Sequence, residues 1–93
     1  MTADVSQRAR VLMYCTAACP FCQSAERLLL DKGVTLEKIR VDLEPARRSE
    51  MMQKSGRRTV PQIWIGERHV GGCDDLYELE RAGELDPLLG VSS

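Results

Sequence analysis

The chain has 93 residues, with 13 lysines and arginines against 14 aspartates and glutamates, for a net charge of −1. That length allows one small domain with one modest core. The balanced charge leaves no basic footprint for nucleic acid or an anionic membrane. No stretch is long or apolar enough to span a bilayer. Residues 1–10 lack the hydrophobic segment of a signal peptide, so a cytoplasmic location is expected.

Residues 1–9 are polar and without periodicity, which predicts a frayed lead-in to a domain running over 10–93. Residues 10–15 are rich in strand formers and predict the first strand. Thr16-Ala17-Ala18 is a short loop. Pro20 suits the first turn of a helix, where its missing N–H has no intrahelical partner to lose. The helix is expected over 20–32, with Ala25, Leu28 and Leu29 facing a core and Gly33 ending it. Val34, Leu36, Ile39 and Val41 mark a second strand over 34–42. Strand, helix and strand together have the length of a right-handed parallel unit.

Pro45 opens a second helix that Gly56 stops, with Met51 and Met52 able to face inward. Residues 57–61 form a loop in which Val60, preceding Pro61, is extended. Residues 62–65 and 68–71 are two strands joined by Gly66-Glu67, where a leading glycine predicts a type II′ hairpin. A third helix starts near Cys73-Asp74-Asp75, with acidic residues at its positive end. Leu76, Leu79 and Ala82 form its apolar stripe, Gly83 ends it, and residues 85–89 form a last helical piece. The predicted fold is α/β and thioredoxin-like: a four-stranded mixed sheet, built as βαβ then β-hairpin, flanked by helices on both faces. A C-x-x-C motif beside a βαβ unit is the sequence signal of that fold.

The motif is Cys19-Pro20-Phe21-Cys22, set where a strand ends and a helix begins. A helix N-terminus presents unpaired N–H groups and the positive end of the macrodipole. A thiolate placed there is stabilised. Cys19 is therefore the expected nucleophile, and Cys22, one turn inward, the expected resolving thiol. A disulfide framework is a poor alternative, because no extracellular context is evident and Cys15, Cys19 and Cys22 crowd within eight residues. Zinc would need two more ligands from Cys15, Cys73 and His69, and no second paired motif exists, so no metal is expected. His69 reads as an ordinary edge-strand side chain.

Two further features carry chemistry. An extended Val60 held by Pro61 would offer its backbone to a peptide-like partner, with a substrate cysteine brought to Cys19. Gly71-Gly72-Cys73-Asp74-Asp75 reads equally well as a helix cap or as a carboxylate site. In the second reading Asp74 or Asp75 pairs with an ammonium beside the carboxylate, which describes an α-amino acid head.

Cys19-Pro20-Phe21-Cys22, Thr59-Val60-Pro61 and Gly71-Gly72-Cys73-Asp74-Asp75-Leu76 occur in the order seen in glutaredoxins, and the chain resembles the bacterial dithiol glutaredoxin 3 type from about residue 10 to 89. The resemblance implies a glutathione-dependent thiol–disulfide oxidoreductase acting on protein–glutathione mixed disulfides and protein disulfides. Cys19 and Cys22 would be catalytic. Phe21, Arg57, Thr59, Val60, Pro61, Gly72, Cys73, Asp74 and Asp75 would surround glutathione, with Thr16 at the margin. Pro61 is expected to be cis and Val60 to pair with the cysteinyl backbone. The backbone near Asp74 and the Asp75 side chain would hold the γ-glutamyl head, and Arg57 would approach the glycyl carboxylate. Glutathionylated or disulfide-containing proteins, with ribonucleotide reductase as one candidate, are the implied partners, and a monomer is expected.

The chain departs from the family pattern in three places. Phe21 stands where tyrosine is usual and keeps the ring without the hydroxyl. Thr16 stands where many relatives carry lysine, which removes a cation and predicts a weaker hold on both thiolate and glutathione. Cys15 is an extra thiol, expected to be a buried apolar residue. Some relatives bridge an iron–sulfur cluster between protomers, but their motifs usually carry glycine or serine at the position of Pro20. Cluster bridging is therefore not expected. Relatives recharged by a thioredoxin reductase typically lack the Gly-Gly-Cys-Asp-Asp segment.

Overall fold

A computed structural model describes residues 10–91, so the expected lead-in at 1–9 lies outside the described residues. In chain order the elements are β1 (Val11–Cys15), α1 (Pro20–Asp31), β2 (Leu36–Arg40), α2 (Pro45–Ser55), β3 (Gln62–Ile65), β4 (Arg68–Gly71), α3 (Cys73–Arg81) and α4 (Leu85–Leu89). The strands form one sheet in the order β2-β1-β3-β4. β1 runs parallel to β2 and antiparallel to β3, and β3 runs antiparallel to β4. This is the mixed sheet the sequence predicts. β2 is shorter than the apolar pattern over 34–42 suggests. Its described ladder runs from Val11 opposite Leu36 to Cys15 opposite Arg40.

The pleat sends successive side chains to opposite faces, and this sorts the core in two. Val11, Met13 and Cys15 of β1, with Ile63 and Ile65 of β3, pack against Ala25 and Leu29 of α1, Leu76 of α3 and Leu85 and Leu89 of α4. Tyr14 and Trp64 point the other way and pack with Ile39, Val41 and Met51 of α2. Helices therefore cover both faces. Tyr14 is fully buried, and its hydroxyl donates to Glu50. Burial and then that bond push its pKa up to about 12, so the phenol stays a donor.

Local signals fix where the elements stop. Pro20 and Pro45 occupy first turns. Gly56 ends α2 at φ 72°, a left-handed conformation that needs no Cβ, and its N–H bonds the Met52 carbonyl. In the hairpin turn, Gly66 has φ 61° and no non-glycine residue among those described has positive φ. A positive first position followed by a negative second separates type II′ from type I′. β4 carries a bulge near Val70: Trp64 pairs with His69 but Ile63 with Gly71. The far end of α1 is tied down by Lys32, whose ammonium contacts Glu80 of α3 at 2.8 Å and Asp86 of α4 at 2.7 Å.

Leu29 is wholly enclosed beneath the helix that carries the C-x-x-C motif. Leu29→Ala removes three carbons from a packed site and is expected to cost about 3 kcal/mol. Urea unfolding checks this as a lowered midpoint at unchanged slope.

Candidate active site

Cys19 is the N-cap of α1, with an extended backbone, and its Sγ accepts the Cys22 N–H at 3.2 Å. A sulfur here occupies the place of a capping oxygen, so the group that satisfies an orphan helix donor is also the reactive atom. The same Sγ lies 3.8 Å from the Val60 carbonyl oxygen. Cys22 sits one turn into the helix and is buried. Burial first, and then the hydrogen bond with Cys19, pushes its thiol up to about 12, against a smaller opposing pull from the Thr16 backbone. All four cysteines are free thiols. The pair is thus chemically unequal: Cys19 caps a helix dipole, while Cys22 is held as a thiol.

Val60 precedes a cis bond to Pro61. Beside it opens a cavity of about 300 Å³, within the size range of small-ligand sites. Phe21 forms one side from α1 and is exposed. Arg57, Thr59, Val60 and Pro61 come from the loop before β3, and Gly72, Cys73, Asp74 and Asp75 from the start of α3. Three segments distant in sequence thus converge on one depression, and all nine lining residues are among those that the family resemblance assigned to ligand binding. Thr16 is not in the lining. Its backbone instead faces the Cys22 sulfur.

Asp75 does two things at once. Its Oδ2 accepts the Gly72 N–H at 2.9 Å, which caps α3, and meets Arg57 Nη1 at 3.0 Å. The first bond and then the guanidinium hold its carboxyl below the usual range. Arg57, assigned from the sequence to a ligand's far carboxylate, is therefore paired with Asp75 across the cavity. Asp74 is exposed. Cys73 is buried, and burial, then the Asp74 charge, raises its thiol. Cys15 is likewise buried and raised by burial, as a structural thiol should be.

Asp75→Asn is expected to lower stability at neutral pH and to match the wild type in acid. The sign follows from the depressed folded pKa. The ionised carboxylate stabilises the fold above the unfolded value and loses that contribution as pH falls through the folded one. Thermal midpoints of both proteins across that acid range check the convergence.

Two residues of this neighbourhood were not marked by sequence reasoning as site residues. Gln62 heads β3 and is fully buried, and His69 faces it from β4. The signal was present in Gln62 itself, a polar residue opening the otherwise apolar run Ile63-Trp64-Ile65. Among the described residues no group of three or more His, Cys, Asp or Glu side chains is gathered to hold a metal, and no helix is long and apolar enough to cross a membrane.

Comparison with known proteins gives the family. The glutaredoxin family model matches residues 11–70. A glutaredoxin of Pseudomonas aeruginosa is 58% identical over 81 residues, covering 87% of this chain and 96% of that protein. Glutaredoxin 3 of Escherichia coli K12 is 51% identical over 81 residues, covering 87% and 98%. A crystal structure of a buckwheat glutaredoxin–glutathione complex superposes with a TM-score of 0.81 at 31% identity, covering 91% of this chain and 80% of that one. A family model matching well over half of the chain, with relatives 58% and 51% identical along most of its length, shows that the chain belongs to the glutaredoxin family of thiol–disulfide oxidoreductases.

Proposed function

We propose that the protein uses glutathione to reduce protein–glutathione mixed disulfides by a route needing Cys19 alone, and protein disulfides by a route needing Cys19 and Cys22. The observation that carries this is the position of Cys19 Sγ, which caps α1 and lies 3.8 Å from the Val60 carbonyl, beside the cavity. A bound peptide that pairs with Val60 would carry its own sulfur toward that atom.

In the first route the Cys19 thiolate attacks the glutathionyl sulfur. The mixed disulfide breaks, and the protein thiolate leaves and takes up a proton. The thiolate of a second glutathione then attacks that glutathionyl sulfur, giving glutathione disulfide and restoring the Cys19 thiolate. In the second route Cys19 attacks one sulfur of a protein disulfide. Cys22 loses its proton and attacks Cys19, which releases the reduced protein and leaves a Cys19–Cys22 disulfide for two glutathiones to reduce. The high pKa of Cys22 suits this order, because a thiol near 12 does not compete for the incoming disulfide.

The cavity has a fitting charge pattern. Asp75 and the free N–H groups at the start of α3 suit an amino acid head, and Arg57 suits a carboxylate. While these two side chains pair at 3.0 Å, neither is fully available. Binding of glutathione would exchange that ion pair for one between each side chain and the ligand. Phe21, exposed at the rim, offers a ring to the substrate. Cytoplasmic, monomeric action on glutathionylated proteins, ribonucleotide reductase among the candidates, completes the proposal.

The test is reduction of a glutathionylated peptide in the presence of glutathione, following both release of the peptide thiol and formation of glutathione disulfide. Equal amounts of both products are expected. Peptide thiol released with no glutathione consumed would overturn the proposal.

A further inference from the structure

Gln62 is a polar side chain with no exposed surface, opposite Tyr14 in the ladder and two residues before Trp64 on the same face of β3. Burying an amide costs free energy unless its groups are hydrogen-bonded, and a leucine would carry no such requirement. Every polar atom of Gln62 has a partner. Nε2 donates to the Thr59 carbonyl at 3.0 Å and to Thr59 Oγ1 at 3.3 Å. Oε1 is thereby left as the acceptor for His69 Nε2 at 2.8 Å, which assigns the imidazole proton to Nε2. His69 has its own support. It pairs with Trp64 in the ladder, and its ring lies over the indole at 4.5 Å with a 31° tilt.

The three residues thus form one directed chain from the edge strand, through the strand beside it, to the loop that borders the cavity. Thr59 and Val60 belong to no regular element. Further upstream, Ser55 Oγ accepts the Arg57 N–H at 2.9 Å, and Arg48 Nη2 donates to the Arg58 carbonyl at 3.4 Å. Gln62 grips Thr59 itself, directly before the residue whose carbonyl lies beside Cys19.

We infer that Gln62 and His69 are positioning residues, whose relay to Thr59 holds the Val60 backbone in register with Cys19 for the substrate peptide. Neither touches the reacting sulfurs. Their effect is carried by the Thr59 carbonyl and hydroxyl. This rests on the reading of Val60 as the strand that receives glutathione, and it adds the residues that set that strand's position.

The bulge near Val70 fits the same purpose. It places His69 opposite Trp64 while Gly71 lies opposite Ile63. His69 then meets Gln62 as a diagonal cross-strand neighbour on the same face, a spacing that long side chains can bridge.

The test compares His69→Phe, which keeps a ring over Trp64 but removes the donor, with His69→Gln, whose amide nitrogen can occupy the place of Nε2. Gln62→Leu is the second disruptive variant. For reduction of a glutathionylated peptide, His69→Phe and Gln62→Leu are expected to raise KM about tenfold with kcat within about twofold, the size of one buried hydrogen bond. His69→Gln is expected to restore the wild-type KM. In the ligand-free proteins, the Val60 amide resonance is expected to shift in both disruptive variants and to return in His69→Gln. Unchanged KM in the disruptive variants that fold, or failure of His69→Gln to restore it, overturns the inference. So does an unmoved Val60 resonance, whatever the activity. Inactivity of the wild type toward the peptide counts against the proposed function instead, and the relay is then decided on the Val60 resonance alone.

Discussion

Cys19→Ser is expected to leave less than about one-thousandth of the wild-type rate with either a glutathionylated peptide or a protein disulfide, because no second nucleophile occupies the helix start. Cys22→Ser separates the two substrates. It is expected to reduce the glutathionylated peptide at a rate within a few-fold of wild type and to stall on protein disulfides. Without a resolving thiol, the Cys19–substrate mixed disulfide persists, and it can be trapped and weighed by mass spectrometry. The asymmetry has a structural cause. Both cysteines are buried, but Cys19 Sγ receives the Cys22 N–H at 3.2 Å, while the Cys22 thiol is pushed up to about 12. Brief alkylation of the native protein near neutral pH is accordingly expected to leave Cys22 unmodified. Full activity of Cys19→Ser would remove the assignment. Equal loss in both variants with the glutathionylated peptide would make the two cysteines a single unit and remove the monothiol route.

The parts of this site that sequence revealed are those whose causes are local. Pro20 in a first turn, Gly56 after a helix and Gly66 in a hairpin each act within a few residues, and each stands where its chemistry requires. The cysteine pair was legible for the same reason: strand, short loop and helix follow one another without a gap. The cavity's lining was legible through family resemblance, since nothing in Thr59 or Asp75 alone shows that the two loops meet.

What stayed hidden depends on contacts across the sheet. The Arg57–Asp75 pair joins residues 18 apart in sequence, and the Tyr14–Glu50 bond joins residues 36 apart. Gln62 looked like one more strand residue. Its burial became meaningful only once His69 and Thr59 stood on either side of it. The shortened β2 is a similar case. Val34 is apolar and buried, yet it lies outside the described ladder, which begins with Val11 opposite Leu36.

Gly71→Ala is expected to raise KM for glutathione about tenfold or more while also costing about 1–3 kcal/mol of stability. Gly71 has φ 115°, a conformation that residues with a Cβ rarely adopt. The space a Cβ would take is already filled. It would run into Asp75 Oδ2, come within 2.9 Å of Asp75 Cγ and 3.2 Å of Arg57 Nη1. The Asp75 carboxylate cannot yield without loosening its 2.9 Å bond from Gly72 N–H, and Arg57 must move with it. Both charges assigned to the ligand are therefore displaced by one methyl group that touches no reacting atom. Gly66→Ala is the control. Gly66 also has positive φ, at 61°, but a Cβ there meets nothing within 4 Å, and its turn is remote from the cavity lining. It is expected to lose stability with no change in KM. A KM effect of the same size in both variants would mean that global loosening weakens the site. An effect confined to Gly71→Ala ties glutathione affinity to the placement of Asp75 and Arg57, and iodoacetamide labelling of Cys19 at wild-type rate in that variant would show the nucleophile untouched.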